Sequence, residues 1–86
     1  MKTVEEITLE IIEQVKQVLK LSRNIDMQED LIALGLDSMD TVILTFALEE
    51  SFDIEIGDDE HSIDNISTVE NMVNFISRKL EQKQEA

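Results

Sequence analysis

The chain is poor in residues that cross-link a fold or interrupt a helix. It has no cysteine and no proline, and only two glycines in 86 residues. The absence of cysteine excludes a disulfide framework and fits a reducing cytoplasm, where we expect the protein to act. The scarcity of proline and glycine allows long helices. Three Phe and no Trp or Tyr disfavour a small β-sandwich, which needs more aromatic and β-branched residues in alternation.

Positive charge is also scarce, with 7 Lys and Arg against 20 Asp and Glu and a net charge of −13. Nucleic acid and anionic membrane surfaces repel so acidic a chain, so neither is an expected partner. The negative field instead favours partners with basic patches. No apolar run reaches the ~20 residues of a membrane span, and the acidic start of the chain does not resemble a signal peptide.

Hydrophobic spacing predicts three long helices, of which two have clear starts. The first is expected from about Val4 to Leu19, opened by a capping box of Thr3 and Glu6. Its apolar stripe consists of Val4, Ile7, Ile11, Ile12, Val15, Val18 and Leu19. The second is expected from about Ser38 to Ser51, with Asp37 as its N-cap. Both helices therefore have a start that local hydrogen bonds can fix.

The last long helix is expected from about Thr68 to Leu80, with Ser67 and Glu70 as its capping box. A short helical piece from about Asp58 to Ile63 precedes it, and the polar tail over residues 81–86 is expected to fray. These elements predict an all-α fold, a small four-helix bundle of three long helices and one short one. The bundle would form a single domain over residues 1–86.

The segment 21–36 has no helical period and is long for a connection in so small a domain. It must be held by its own apolar residues, which are Ile25, Met27, Leu31, Ile32, Leu34 and Leu36. Gly35 supplies a permissive backbone directly before the second helix. We therefore expect a long first loop that packs along the bundle from one end to the other.

The second helix has two apolar sides, because an α-helix advances ~100° per residue. One side consists of Leu44, Leu48 and Phe52, and the nearly opposite side of Met39, Ile43 and Phe46. The second side is either covered by the short helix or open to a partner. Apolar residues at helical spacing are most often core, which is the simpler interpretation for Phe46, whereas Met39 lies at the poorly covered helix start and is expected to be exposed. An open side would be an apolar patch with an acidic rim, formed by Asp37, Asp40, Glu49 and Glu50.

Ser38 is the candidate functional residue. Asp37 can cap the helix, which leaves the Ser38 hydroxyl free to point outward. No His, Lys or Cys is near in sequence to act as a base, so the hydroxyl fits an attachment point better than a catalyst. A helix N-terminus tolerates a phosphate group there, although Asp37 and Asp40 oppose it.

We predict no catalytic residue and no metal site. The single histidine, His61, is expected in a solvated surface turn. The neighbouring acids Asp58, Asp59 and Glu60 lack the twelve-residue pattern of a calcium loop.

The segments LGLDSMD at positions 34–40 and ALEESFDIEI at positions 47–56 resemble an acyl carrier protein, and the resemblance extends over nearly the whole chain. It implies that Ser38 carries 4′-phosphopantetheine through a phosphodiester, added from coenzyme A by a phosphopantetheinyl transferase. The thiol of that arm would hold an acyl group as a thioester. The chain would have no catalysis of its own. Separately, we expect a monomer, while dimerisation through the second apolar side of the second helix stays open.

The resemblance also implies that the second helix is recognised by acyl-transferring, ketosynthase-type or ligase enzymes with basic docking patches. The docking positions are Asp37, Met39, Asp40, Ile43, Phe46 and Glu50. Carriers of fatty-acid synthesis usually have an acid at the position of Ile43. An isoleucine there suits a specialised carrier of polyketide or other secondary-metabolite assembly, or a carrier with a single dedicated partner, and the fatty-acid type stays open.

Three alternatives stay open at this point. A carrier of aminoacyl or peptidyl groups shares the fold and the modified serine, although the strong negative charge favours the acyl type. An unmodified acidic adaptor would bind a basic partner through Met39, Ile43 and Phe46. A small hydrolase is the least favoured alternative, because no base is near Ser38.

Overall fold

The computed structural model describes residues 3–57 and 63–85, and these residues are all-helical, without a strand. Three long helices, α1 (Val4–Leu19), α2 (Ser38–Phe52) and α4 (Val69–Glu85), pack together, and a four-residue turn of helix, α3 (Ile63–Ile66), lies before α4. The predicted all-α class with three long helices is confirmed. The short helix expected from about Asp58 to Ile63 lies, except for Ile63, outside the described residues, as do His61 and its acidic neighbours.

Helix α1 begins where its capping box places it. The Thr3 hydroxyl accepts a hydrogen bond from the Glu6 amide, and the Glu6 carboxylate accepts one from the Thr3 amide, both at 3.2 Å. Its buried residues are Ile7, Ile11 and Val15. Val4 is 62% exposed, so its predicted place in the apolar stripe is wrong, and the buried side of α1 begins at Ile7.

Helix α4 begins one residue later than predicted and ends later too. Its first turn is capped by Thr68, whose hydroxyl accepts from the Asn71 amide at 3.0 Å. The predicted capping box is wrong, because the Ser67 hydroxyl accepts from Asn71 Nδ2 at 3.1 Å and the Glu70 amide donates to the Met27 carbonyl of the long loop at 2.9 Å. The Ser67 carbonyl accepts from the Leu31 amide at 2.9 Å, and the Glu70 carboxylate accepts from Gln28 at 3.0 Å.

The C-terminal turns of α4 are tied to the end of α2. Lys83 Nζ donates to the Asp53 carbonyl at 2.6 Å and to the Asp53 carboxylate at 2.8 Å. This contact helps to extend the helix past the predicted end at Leu80 to Glu85. The fraying of residues 81–86 and the assignment of one domain to residues 1–86 stay predictions.

The long loop packs against the bundle as expected. Its buried anchors are Ile25, Leu31 and Leu36, with Met27 and Leu34 half-buried. Ile32 is 42% exposed, so its predicted role as an anchor is wrong.

Two backbone hydrogen bonds, Leu31 N–H to Ser67 and Glu70 N–H to Met27, each 2.9 Å long, hold the loop to the start of α4. The starts of α2 and α4 therefore lie at the same end of the bundle, with Asp53 and Lys83 at the other end.

Candidate functional site

A tight turn before α2 sets the position of the candidate residue. Gly35 has φ +109°, a conformation that is strained for residues with a side chain. In this turn the Gly35 amide donates to the Ile32 carbonyl and the Leu36 amide to the Leu31 carbonyl, both at 3.0 Å. The reversal buries the Leu36 side chain and brings the next residue to the surface as the start of a helix.

Asp37 caps α2, as the sequence predicts. Its Oδ1 accepts from the Asp40 amide at 2.8 Å, and Asp40 Oδ2 accepts from the Asp37 amide at 3.4 Å. This reciprocal capping box was not predicted, since the residue three places on is Asp rather than the usual Glu or Gln. Each carboxylate thus has an oxygen directed at a backbone amide of the helix start.

Ser38 is the first residue of α2 and is exposed to solvent. Among the described residues its hydroxyl has no hydrogen-bond partner, whereas the nearby Thr41 hydroxyl donates to the Asp37 carbonyl at 2.9 Å. The amides of the first helical turn have no partner within the helix. A free hydroxyl beside such amides is a suitable place for a phosphodiester, because the amides and the helix dipole favour negative charge.

The second apolar side of α2 is open. Met39 is 72% exposed, Ile43 50% and Phe46 62%, so the interpretation of Phe46 as core is wrong. The core is instead met by Leu44, Thr45, Leu48 and Phe52. Val42, 44% exposed, belongs to the same open side and was missed, although its place three residues after Met39 and four before Phe46 could have revealed it.

The acidic rim around that side is smaller than predicted. Asp37 and Glu50 are exposed and Asp40 is half-buried. Glu49 does not belong to the rim, because its carboxylate binds within the fold, where Oε2 accepts a hydrogen bond from the Ile56 amide at 2.9 Å. Among the expected docking residues, Asp37, Met39, Ile43, Phe46 and Glu50 are therefore accessible, and Asp40 is partly so.

Two carboxylates have a lowered pKa, that of Glu29 in the long loop and that of Asp53 at the C-terminal end of α2. The pKa of Glu29 is lowered mainly by a side-chain hydrogen bond from Arg23, and also by a hydrogen bond from the Asp26 amide. A side-chain hydrogen bond from Lys83 lowers the pKa of Asp53.

Within residues 3–57 and 63–85 no group of three or more His, Asp or Glu is placed to hold a metal ion. No helix in the same part of the chain is long and apolar enough to cross a membrane.

Comparison with known proteins places this site in a family. Residues 10–76, which include Ser38 and the whole of α2, match the family described as "phosphopantetheine attachment site". The chain belongs to this family. Membership makes 4′-phosphopantetheine the cofactor, as the sequence resemblance implied.

Curated relatives of this phosphopantetheine attachment domain are named "acyl carrier protein". Those of Buchnera aphidicola subsp. Acyrthosiphon pisum, strains Tuc7 and APS, are each 54% identical over 46 residues, which are 54% of this chain and 55% of the relative. That of Guillardia theta is 51% identical over 47 residues, 55% of this chain and 56% of the relative. The match thus spans about half the length of these relatives, and the resemblance to the acyl carrier protein family is confirmed.

Proposed function

We propose that this protein is an acyl carrier protein whose 4′-phosphopantetheine arm is attached to Ser38. The observation that carries the proposal is the exposed Ser38 hydroxyl at the start of α2, with no partner among the described residues. Ser38 lies within the residues that match the attachment-site family. The neighbouring Asp37 performs the capping that a serine at a helix start often performs, so modification of Ser38 removes no hydrogen bond that the helix needs.

Attachment is a phosphoryl transfer in which this chain supplies the nucleophile. A bond forms between Ser38 Oγ and the phosphorus that bears the pantetheine group in coenzyme A. The phosphoanhydride bond of coenzyme A breaks, and adenosine bisphosphate leaves. The hydroxyl proton passes to a base of the phosphopantetheinyl transferase. The chain needs no catalytic base of its own, which agrees with a carrier and not with an enzyme.

When bound, the cofactor supplies a thiol that holds acyl groups as thioesters. The chain's own residues position this group: Gly35 allows the turn, Leu36 anchors it in the core, and the capped start of α2 presents Ser38 to solvent. Attachment to the folded domain raises the effective concentration of cargo at any enzyme that binds the domain. Docking would use Asp37, Met39, Asp40, Ile43, Phe46 and Glu50.

The pathway we propose is a specialised one, polyketide or other secondary-metabolite assembly, with fatty-acid synthesis as the alternative. It is supported by Ile43, an apolar residue 50% exposed in the middle of the docking side of α2. If fatty-acid synthase enzymes elongate chains on this protein as well as they do on a housekeeping carrier, the specialised assignment is wrong. Loading assays with acyl and aminoacyl donors distinguish it from an aminoacyl or peptidyl carrier.

Intact-mass measurement tests the attachment. The chain is incubated with coenzyme A and a promiscuous phosphopantetheinyl transferase, and we expect a single phosphopantetheine addition. Ser38→Ala should abolish the addition, while Ser22→Ala, which changes another exposed serine, should leave it intact. No addition to the folded wild-type chain would contradict the proposal and favour an unmodified acidic adaptor.

A further inference from the structure

The second residue of α2 is a methionine with an accessible sulfur. Met39 directly follows Ser38 and is 72% exposed. Because helix side chains lean toward the N-terminal end of their helix, we expect the thioether of Met39 to lie over the turn that presents Ser38. The sulfur is therefore open to solvent and adjacent to the hydroxyl that we assign to the arm.

The other methionines in the described part of the chain are shielded. Met72 is 0% exposed in the core, and Met27 is half-buried and packs against the core. The sequence has no cysteine, so thioethers are the only sulfur groups that the chain itself offers to an oxidant. Because the oxidant must reach the sulfur from solvent, Met39 should react before Met27 and Met72.

The charge of the chain selects the class of oxidant. Asp37 and Asp40 flank Ser38 and Met39 in the sequence, and the net charge is −13. This field repels anionic oxidants but does not act on a neutral peroxide.

The oxidation is a transfer of one oxygen atom to the Met39 sulfur. An S–O bond forms, the O–O bond of hydrogen peroxide breaks, and the second peroxide oxygen leaves as water with both protons. The sulfur is oxidised to a sulfoxide and the peroxide is reduced. The sulfoxide stays at the protein surface, where methionine sulfoxide reductases can return it to the thioether with electrons from thiols.

We propose that Met39 is a reversible oxidation site, at which a peroxide slows attachment of the arm to Ser38 and reduction of the sulfoxide restores it. This inference rests on the proposed function, since it needs Ser38 as the attachment point. It adds a regulation to that site: in the presence of peroxide, a newly made chain receives its arm more slowly.

Two effects of the sulfoxide act on the attachment step. The Asp40 amide is already bound by the Asp37 carboxylate, whereas the amides of Ser38 and Met39 have no partner within the helix. A helix start attracts acceptors, so the sulfoxide oxygen competes for these amides with the phosphate group that is being transferred. In addition, an enzyme that reaches Ser38 covers the adjacent side chain, and a covered sulfoxide without a hydrogen bond costs free energy.

Peptide mapping by mass spectrometry tests the site. The chain is treated with hydrogen peroxide before arm attachment, so that the thiol of the arm does not compete for the oxidant. We expect oxygen to be added at Met39 well before it is added at Met27 or Met72.

Steady-state kinetics of arm attachment, with a promiscuous phosphopantetheinyl transferase and coenzyme A, test the consequence after the peroxide has been removed. Oxidation should lower kcat/KM for the chain about tenfold relative to the untreated sample. Methionine sulfoxide reductases for both sulfoxide epimers should restore it.

Met39→Leu and Met27→Leu form a matched pair, and each variant is compared with its own untreated sample. Peroxide should not change kcat/KM for Met39→Leu, because its side chain at position 39 has no sulfur. Met27→Leu should lose as much as the wild type does. Circular dichroism melting curves of the oxidised and untreated wild type should coincide, because an exposed side chain is changed.

Several outcomes would overturn the inference. Oxidation of Met27 or Met72 before Met39 would exclude the site. Unchanged kinetics of a chain oxidised at Met39, or a loss in Met39→Leu equal to that of the wild type, would exclude the consequence. A lower melting temperature after oxidation would assign the loss to the fold. An untreated wild-type chain that receives no arm contradicts the proposed function instead, and the order of oxidation among the methionines still decides the site.

Discussion

Two adjacent residues at the start of α2 have separate roles. Asp37 does the capping of α2, since its carboxylate accepts from the amide of Asp40 at 2.8 Å. Because the aspartate does it, the serine stays exposed and without a described partner. A side chain that makes no contact needed for folding can be modified without loss of stability, and an attachment point requires this.

Asp53 allows a prediction at the same scale. A hydrogen bond from Lys83 lowers the pKa of Asp53, so the folded chain binds a proton at this carboxylate more weakly than the unfolded chain does. The contact therefore stabilises the fold above the unfolded pKa of about 3.9, and this contribution is lost as the pH falls through the lower folded value. Asp53→Asn should lower the melting temperature at neutral pH and have little effect in strong acid.

The substitution is conservative in two respects. Asp53 has φ +52° at the C-cap of α2, and Asn tolerates that left-handed conformation. Lys83→Met is the matched control from the other side of the contact and should show the same pH dependence. Thermal melts of the three proteins across the acid range provide the measurement. A difference from wild type that is constant with pH would mean that ionisation of Asp53 has no part in it.

At the scale of the element, α2 is apolar on two sides for two reasons. Leu44, Leu48 and Phe52 are nearly completely buried and fix the helix to the bundle. Ile43 and Phe46 are about half or more exposed and contribute little to the fold. A helix in a three-helix arrangement has room for one packed side, so the second side is available for binding.

Two neighbouring positions test this division. Leu44→Ala removes a fully buried side chain and should lower the free energy of unfolding by about 2–5 kcal/mol. Ile43→Ala should change it by at most about 0.5 kcal/mol, as is usual for exposed positions. Urea denaturation followed by circular dichroism measures both values. Similar losses for the two variants would place Ile43 in the core and remove the basis for an open side.

At the scale of the whole molecule, the charge distribution is uneven. All seven Lys and Arg lie before residue 24 or after residue 77, and the intervening sequence has only acids among its charged residues, apart from one His. The starts of α2 and α4 share one end of the bundle with the long loop. The end that presents Ser38 is thus rich in negative charge. This charge attracts basic partners, and repulsion among the acidic side chains lowers the stability of the fold.

Salt should therefore act in opposite directions on stability and on binding. Raising NaCl from about 0.01 M to about 0.1 M shortens the screening length from about 30 Å to about 10 Å. We expect a higher melting temperature, because repulsion among the acids weakens, and slower association with a basic partner enzyme. Calorimetry and stopped-flow association rates measure the two effects. A melting temperature that does not respond to salt would show that self-repulsion is negligible, and a constant association rate would exclude acidic steering.

The starts of α1 and α2 were predictable because they depend on residues within four positions of each other. Thr3 and Glu6, and Asp37 at its own helix, satisfy amides that any chain would expose there. The start of α4 was not predicted correctly, because Ser67 and Glu70 bind residues of the loop about 40 positions earlier. A local motif cannot reveal that a distant segment uses the same groups.

The sequence by itself determined the helical class, the long packed loop, the capped start of α2 and the candidate serine. These follow from short-range hydrogen bonding, backbone freedom at Gly35 and the spacing of apolar residues. Only the tertiary structure decided which apolar side of α2 is buried, that Val42 and Phe46 are open to solvent, and that Glu49 serves the fold instead of the rim. Spacing along a helix shows which residues share a side, but burial depends on what else the chain packs against that side, and this is a property of the assembled bundle.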